Sequence, residues 1–318
     1  SPILDYTTTG MICLHNFNIF PHLTILVIAF CHRLIKSRHY GIFLTPHGGF
    51  TPEWPLFPWL TRSIKRLYHQ TVGRLLIGSV VDGIRAISKW ENQELIKFGL
   101  RPSKIILIEN GLDPVAKLNH SKLASSKIKG LTQRLGNYII AIGRISPIKN
   151  YETIVKAISL INSNINLVII GPTQDLSYHY LLIEQAHDLN ISNRVHFLGV
   201  VRGSDKYYLI QKSKVFIHMA RWESFCNVVY EAMCLGKTCI VANNTALSSL
   251  VDHRVTGIVT PTYDSDKLAE TIKLFTNNTK ASLRKVILNN LRAKKFPIWE
   301  ETAIKMDNTY RSILERYE

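Results

Sequence analysis

From residue 138 onward, short runs of β-branched and aliphatic residues alternate with longer amphipathic stretches, and no other feature constrains the fold so tightly. Tyr138-Ile139-Ile140-Ala141-Ile142 is apolar throughout, as a strand buried on both faces must be. A stretch with Ile154, Ile158 and Ile161 near one helical face follows. Leu167-Val168-Ile169-Ile170, a helix predicted over Leu181 to Leu189, and Val195-His196-Phe197-Leu198 come next. Val215-Phe216-Ile217-His218 and Thr238-Cys239-Ile240-Val241 complete the series. Such β–α alternation predicts an α/β fold with a doubly wound parallel sheet.

The N-terminal part repeats the pattern more loosely. Strands are expected at Met11 to His15, Ile42 to Thr45, Gly83 to Ile87 and Lys104 to Ile108. A lysine- and serine-rich stretch from Asp113 to about Gly130 separates the two series and is expected to contain a linker. The 318 residues suit two domains of ordinary size. We place an N-terminal domain at 1–118, a second at 119–295 and a terminal segment at 296–318. The last segment is expected to form an amphipathic helix packed through Trp299, Ala303 and Tyr310.

Charge and cysteine content narrow the function classes. A formal charge of +16 favours an anionic partner, whether phosphates on a small molecule, anionic lipid or nucleic acid. The sequence has no zinc-finger spacing, RNA-recognition motif or aromatic-interleaved basic stripe, so nucleic acid is not expected. Five cysteines, at 13, 31, 226, 234 and 239, form neither a CxxC pair nor a metal-ligand spacing, and their odd number argues against a disulfide framework. No metal is expected, and a reducing, cytoplasmic setting fits. Asn190-Ile191-Ser192 and Asn277-Asn278-Thr279 match a glycosylation sequon that arises easily by chance. The most apolar run, Leu23 to Phe30, falls well short of the roughly 20 residues that span a bilayer. No secretory leader is recognised, and a chain beginning at Ser1 is expected to lack its natural start. Trp59 to His69 is basic and amphipathic at helical spacing, with Arg62, Arg66 and His69 on one face. It is either a solvated helix or a helix that lies on anionic lipid.

Ligands of open parallel sheets bind beyond the C-terminal ends of the strands, so residues just after strands carry the chemistry. Gly143-Arg144-Ile145-Ser146-Pro147-Ile148-Lys149-Asn150 follows a strand and is expected to open a helix. Gly143 permits a sharp turn. Arg144 and Lys149 beside a helix N-terminus suit an anion, Arg as a fork and Lys as a point charge. Alone, they read equally as solvated cations. The second cluster is Glu223-Ser224-Phe225-Cys226-Asn227, with Glu231 inside the helix that Gly236 ends. A carboxylate accepts hydrogen bonds from vicinal hydroxyls, and the N–H groups of a first helical turn suit a phosphate. Alone, Glu223 reads as a surface acid and Glu231 as a helix stabiliser.

Together the clusters resemble the retaining two-Rossmann-domain (GT-B) glycosyltransferases of family 4, also called glycosyl transferases group 1. Those enzymes carry Gly-Arg-x-x-x-x-Lys, then two glutamates separated by seven residues, and both occur here in that order. Ile169-Ile170-Gly171-Pro172, Phe197-Leu198-Gly199 and Gly257-Ile258-Val259-Thr260-Pro261 match as well. In the first half, Thr45-Pro46-His47-Gly48-Gly49, Ile87-Ser88 with Glu91, and Glu109-Asn110-Gly111-Leu112-Asp113 also match. The resemblance implies two Rossmann-like domains facing a central cleft, with segment 296–318 crossing back to the first domain. It implies a hexosyltransferase (EC 2.4) that uses a nucleotide-sugar donor, a glycan or lipid-linked acceptor and no cofactor, in polysaccharide, glycolipid or glycoconjugate synthesis. It further implies that Arg144 and Lys149 hold the donor diphosphate and that Glu231 binds the ribose. Glu223 would bind the transferred sugar, helped by N–H groups around Ser224, Phe225, Cys226 and Asn227. Gly171 would allow close approach near the base, and His47 would approach the breaking bond. An epimerase or hydrolase of the same fold, or a non-catalytic donor-binding protein, remains an alternative. The chain departs from the family where Ser249 replaces a frequent glutamate. Relatives also begin with a strand and a Gly-rich turn, a unit this chain is expected to lack.

Overall fold

Buried parallel strands need apolar side chains on both faces, and the runs of the second series supply them. The computed structural model describes residues 10–16, 22–35, 38–51, 57–162, 164–276 and 281–317. The chain forms two compact units, one of Ser1–Gly111 with Trp299–Glu318, the other of Leu112–Ile298. Each has the parallel-sheet α/β architecture of a Rossmann-like domain. The sequon at Asn277 lies outside the described residues.

The first unit holds β1 (Gly10–His15), β2 (Tyr40–Thr45), β3 (Gly83–Ala86) and β4 (Ile105–Leu107), all parallel and in sequence order. β1 and β2 run in register from Gly10 opposite Tyr40 to His15 opposite Thr45. Ile42, Leu44, Ile77, Val80 and Ile84 form the centre of its core. The helix Trp59–Tyr68 buries none of its residues, then passes through a π-helical turn, His69–Gly73, into the helix Arg74–Val80. The extra residue in that turn rotates the face the helix presents. His69 opens that turn at αR dihedrals and so keeps the side of half-buried Arg62 and Lys65, but that side faces inward at His69. It is buried among Tyr68, Phe50 and Phe98, and burial pushes its pKa down to about 4.

The terminal helix Trp299–Leu314 belongs to this unit, but by a face shifted from the expected one. Trp299 and Ala303 are exposed, while Thr302 and Ile313 are buried and Tyr310 stacks edge-on against Phe43 at 5.0 Å. Gly83 makes room for the helix, since a Cβ there would lie 2.8 Å from Ile313. Tyr317 then donates to Asp82 at 2.8 Å.

The second unit holds β5 (Tyr138–Ile142), β6 (Asn166–Ile170), β7 (Val195–Phe197), β8 (Phe216–His218), β9 (Cys239–Ala242) and β10 (Ile258–Thr260). They are parallel, in the order β10-β9-β8-β5-β6-β7. The strand order reverses between β5 and β8, the place where doubly wound sheets open a crevice at their carboxyl ends. Ile154 and Ile158 are buried on the helix Tyr151–Ser159, as the periodicity predicts, and Ile161 is buried just beyond it. The next helix begins at Leu176, not Leu181, because Asp175 caps it by accepting from the Tyr178 N–H at 2.9 Å.

The segment read as a linker is folded. Asp113, Asn119 and Ser125 each accept a backbone N–H and start a short helical element, Pro114–Lys117, His120–Leu123 and Ser126–Leu135. Ser125 also binds Asp205 through its N–H and its hydroxyl, at 2.7 and 2.9 Å. Polar residues that look like a linker are here helix caps. Leu112 donates to the Pro297 carbonyl at 2.8 Å, so the two passages of chain at the end of this unit run side by side. Among the described residues, no helix is long and apolar enough to cross a membrane.

Candidate functional site

The loops after β5 and β8 meet at the switch point of the second unit. The chain leaves β5 at Gly143, passes through a 3-10 turn, Pro147–Lys149, and enters the helix Tyr151–Ser159. The Gly-Arg segment thus does not open that helix directly. Asn150 intervenes in the left-handed region (φ 54), a conformation asparagine tolerates. Its buried side chain donates to the carbonyls of Met219 and Thr262, at 3.0 and 2.8 Å, and accepts from Thr153. Arg221 N–H donates to the Ile148 carbonyl at 2.8 Å. These bonds stitch the β5 loop to the β8 loop.

At the seam, the Lys149 ammonium binds the Glu223 carboxylate, and His218 Nε2 contacts the same oxygen at 2.8 Å. His218 is the last residue of β8 and is wholly buried. Burial pushes its pKa down, against the pull of the Glu223 carboxylate, which raises it. Burial would by itself raise the Glu223 pKa. The hydrogen bond and charge of His218, then the charge and hydrogen bond of Lys149, outweigh it and bring the carboxyl down to about 2. His218, Glu223 and Cys226 also gather their ligand atoms within 4.8 Å of one another. They make a poor cation cage, because a lysine already takes the Glu223 oxygen and burial holds the Cys226 thiol well above its ordinary pKa.

Cys226 has φ 81, unusual for a residue with a side chain, and precedes the helix Asn227–Cys234 with no side-chain cap. Phe225 is buried against Tyr230, with ring centroids 5.2 Å apart. Ser224 lies in the same loop, and Asn227 is the first residue of the helix. Arg144 is exposed and its side chain forms no ion pair or hydrogen bond among the described residues. Gly171, after β6, has φ 151, and a Cβ there would lie 2.0 Å from the Gly143 carbonyl oxygen. The close approach that requires this glycine is therefore already present within the protein.

Glu231 is not part of the Lys149–Glu223 pair. Lys206 Nζ donates to both of its oxygens, at 3.0 and 2.8 Å, and the Tyr207 hydroxyl donates to Oε1 at 3.3 Å. Lys206 and Tyr207 lie on the helix Gly203–Lys212, and nothing in the sequence pattern marked them. A separate cavity of about 500 Å³, beside edge strand β10 and lined by Ile258, Leu274 and Phe275, contains none of these residues.

In the first unit, His47 follows β2 at φ 51 in a tight turn. Glu91 holds that turn, since its buried carboxylate accepts the N–H groups of Gly48 and Ile87. Ser88 in turn accepts the Glu91 N–H at 3.1 Å and caps the helix Lys89–Lys97. His47 Nε2 lies 3.2 Å from Nδ1 of His15, which ends β1. Burial lowers the His47 pKa, and the charges of His15 and Arg85 lower it further. Register, not spacing in sequence, brings these two strand ends together.

Residues 127–293 match the family model for glycosyl transferases group 1. A 41.2 kDa protein of the cps region of Klebsiella pneumoniae is 23% identical over 83% of this chain and 70% of its own length. The D-inositol 3-phosphate glycosyltransferase of Jonesia denitrificans is 28% identical over 66% of this chain and 51% of its own. The N-acetylgalactosamine-N,N'-diacetylbacillosaminyl-diphospho-undecaprenol 4-alpha-N-acetylgalactosaminyltransferase of Campylobacter jejuni is 23% identical over 73% and 62%. The chain thus spans about half to two-thirds of the length of the latter two. Anabaena HepE, solved with UDP and glucose, superposes with a TM-score of 0.75 at 22% identity, covering 94% of this chain and 78% of its own.

Proposed function

The chain belongs to the glycosyl transferases group 1 family, and from that premise we propose that it moves a hexose from a nucleoside-diphosphate sugar to an acceptor with retention of configuration, as family 4 enzymes (EC 2.4) do. The observation that carries this is the buried Lys149–Glu223 pair at the sheet's switch point. It sets a cation for phosphate beside an acid for hydroxyls. Cleaving a sugar–phosphate bond builds positive charge on the sugar and negative charge on the departing diphosphate. Lys149 and Arg144 stabilise that diphosphate from fixed loops and call for no metal or other cofactor; losing one such donor costs about a hundredfold to a thousandfold in rate. Glu223 takes hydroxyls of the transferred sugar, with backbone N–H groups from Ser224 to Asn227, and Glu231 takes the ribose. Gly143 and Gly171 keep the loop backbones low beneath the nucleotide. His47 acts at the breaking bond.

The acceptor in this proposal is a glycan or a lipid-linked sugar, in polysaccharide or glycoconjugate synthesis. The Campylobacter relative's name, which specifies a diphospho-undecaprenol-linked substrate, supports that class. The chain would then work in the cytoplasm as a peripheral protein on the inner membrane face. The helix Trp59–Tyr68 favours this, because Leu60, Ile64 and Leu67 lie on one exposed face, Leu67 being 66% exposed, and Arg66 adds an exposed cation to the same helix. From residue 10 to 81, Glu53 is the sole acidic residue in the sequence. Sedimentation with phosphatidylglycerol vesicles, but not with phosphatidylcholine, is expected, and Ile64→Ser with Leu67→Ser should abolish it. Equal sedimentation of that double variant would refute the membrane role.

Thermal-shift measurements against UDP-, GDP- and ADP-sugars, followed by product analysis, test the activity. A glycosylated product that Glu231→Ala and Lys149→Met reduce supports it. Isomerised or free sugar would indicate an epimerase or hydrolase, and donor binding without turnover a non-catalytic protein. Salt-sensitive nucleic-acid binding that outcompetes every nucleotide sugar would refute the donor assignment.

A further inference from the structure

We infer that Lys206 recognises the donor ribose jointly with Glu231, so that the diol meets an ammonium–carboxylate pair; this rests on Glu231 being the ribose-binding acid. A carboxylate offers about four lone-pair sites. Lys206 occupies one on each Glu231 oxygen, and the Tyr207 hydroxyl occupies a second on Oε1. One site, on Oε2, remains for a ligand hydroxyl. Two vicinal hydroxyls cannot both be accepted by Glu231 in this arrangement. The lysine supplies what is missing, because its ammonium has three donors and spends at most two on the Glu231 oxygens. The third is available to the oxygen of the neighbouring hydroxyl.

The pair is built to stay in place. The Lys206 ammonium also sits 4.3 Å over the Tyr207 ring, so it is held from two sides. Glu231 lies on the helix Asn227–Cys234 and Lys206 on the adjoining helix Gly203–Lys212. Their side chains are 12% and 18% exposed, so each keeps an edge open to a ligand. A lysine that merely blocked Glu231 until displaced would have the opposite consequence, since its removal would tighten ribonucleotide binding.

Calorimetric titration of UDP, 2′-deoxy-UDP and 3′-deoxy-UDP tests this on the wild type, Lys206→Met, Lys206→Arg and Glu231→Gln, with the GDP and ADP series if UDP does not bind. Hydrogen bonds to charged groups contribute enough that Lys206→Met should weaken UDP binding about tenfold or more. It should also abolish discrimination against one deoxynucleotide while discrimination against the other persists. Lys206→Arg, which keeps the charge and donors, should retain most of both. If Lys206→Met leaves discrimination intact, or tightens UDP, while Glu231→Gln abolishes it, Lys206 has no such role and the Glu231 assignment stands. If Glu231→Gln also leaves discrimination unchanged, or no nucleotide binds at all, the ribose assignment itself fails.

Discussion

Replacing Lys149 with methionine would strip the cation from Glu223 while leaving most of the side-chain volume in place. In the native chain this carboxyl titrates near 2, against 4.5 for its ordinary value. That gap corresponds to about 3 kcal/mol favouring the ionised, folded form. Because the folded pKa lies below the unfolded one, the contribution is complete above about pH 4.5 and is lost as pH falls through about 2. In Lys149→Met the carboxyl loses the Lys149 charge and hydrogen bond but keeps the His218 contact, so its pKa should rise from about 2 and its contribution should shrink. Breaking a buried pair costs about 3–5 kcal/mol. For a unit of this size that is a fall in Tm of roughly 10 °C at pH 7. Urea unfolding of wild type, Lys149→Met and Lys149→Met/Glu223→Gln at pH 7 and pH 4 measures it. The gap between wild type and single variant should be wide at pH 7 and shrink by pH 4, and the double variant should regain most of the loss. A gap equal at both pH values, or a double variant no better than the single, would refute the electrostatic account.

Gly171→Ala should destabilise the second unit by about 2–4 kcal/mol, because its Cβ would collide with the Gly143 carbonyl. Gly199→Ala, at φ 65 with open space around it, should cost only about 1–2 kcal/mol, and equal losses in denaturant unfolding would rule out the collision. Removing His15 should raise the His47 pKa, seen as an upward shift of its ring-proton titration by NMR, since the His15 charge helps to hold it down. An unmoved titration would show that the two rings do not interact. The lowered His47 pKa also means that its contribution to stability, present above about pH 6.5, falls away as the ring protonates on acidification.

The strands of the second unit could be read from sequence because strands buried on both faces are nearly all apolar, so composition and position coincide. Helix starts were less visible. Asp175 begins its helix well before the apolar periodicity at Leu181 is felt, and Asp113, Asn119 and Ser125 give capped helices the composition of a linker. In the terminal helix, Tyr310 was correctly placed in the packed face, but a one-residue error in phase exchanged Thr302 for Ala303. The period put His69 on the side of Arg62, but did not show that this side turns inward against Phe50 and Phe98. At the candidate site, the family resemblance, and not the residue types alone, singled out Lys149, Glu223 and Glu231. Their partners depended on contacts between elements far apart in sequence, as Lys206 on Glu231 and His15 on His47 illustrate.

Those partners change what the site must do. Glu223 and Glu231 each hold a lysine already, so at these two acids a donor meets balanced pairs, while Arg144 stands open. Under the proposed function the two pairs behave differently. Lys206 has a spare donor and can keep Glu231 while the ribose binds. Lys149 and Glu223 are buried against each other, so a phosphate oxygen that draws Lys149 away leaves the buried Glu223 with His218 alone, at a desolvation cost unless a sugar hydroxyl arrives with it. Nucleotide alone would incur that cost, and nucleotide-sugar would offset it. The sugar therefore contributes to affinity through Glu223 and also by making Lys149 available, which couples the two ends of the donor. In Lys149→Met/Glu223→Gln the coupling has no basis, and the affinity advantage of a nucleotide-sugar over its nucleotide should collapse even where both still bind.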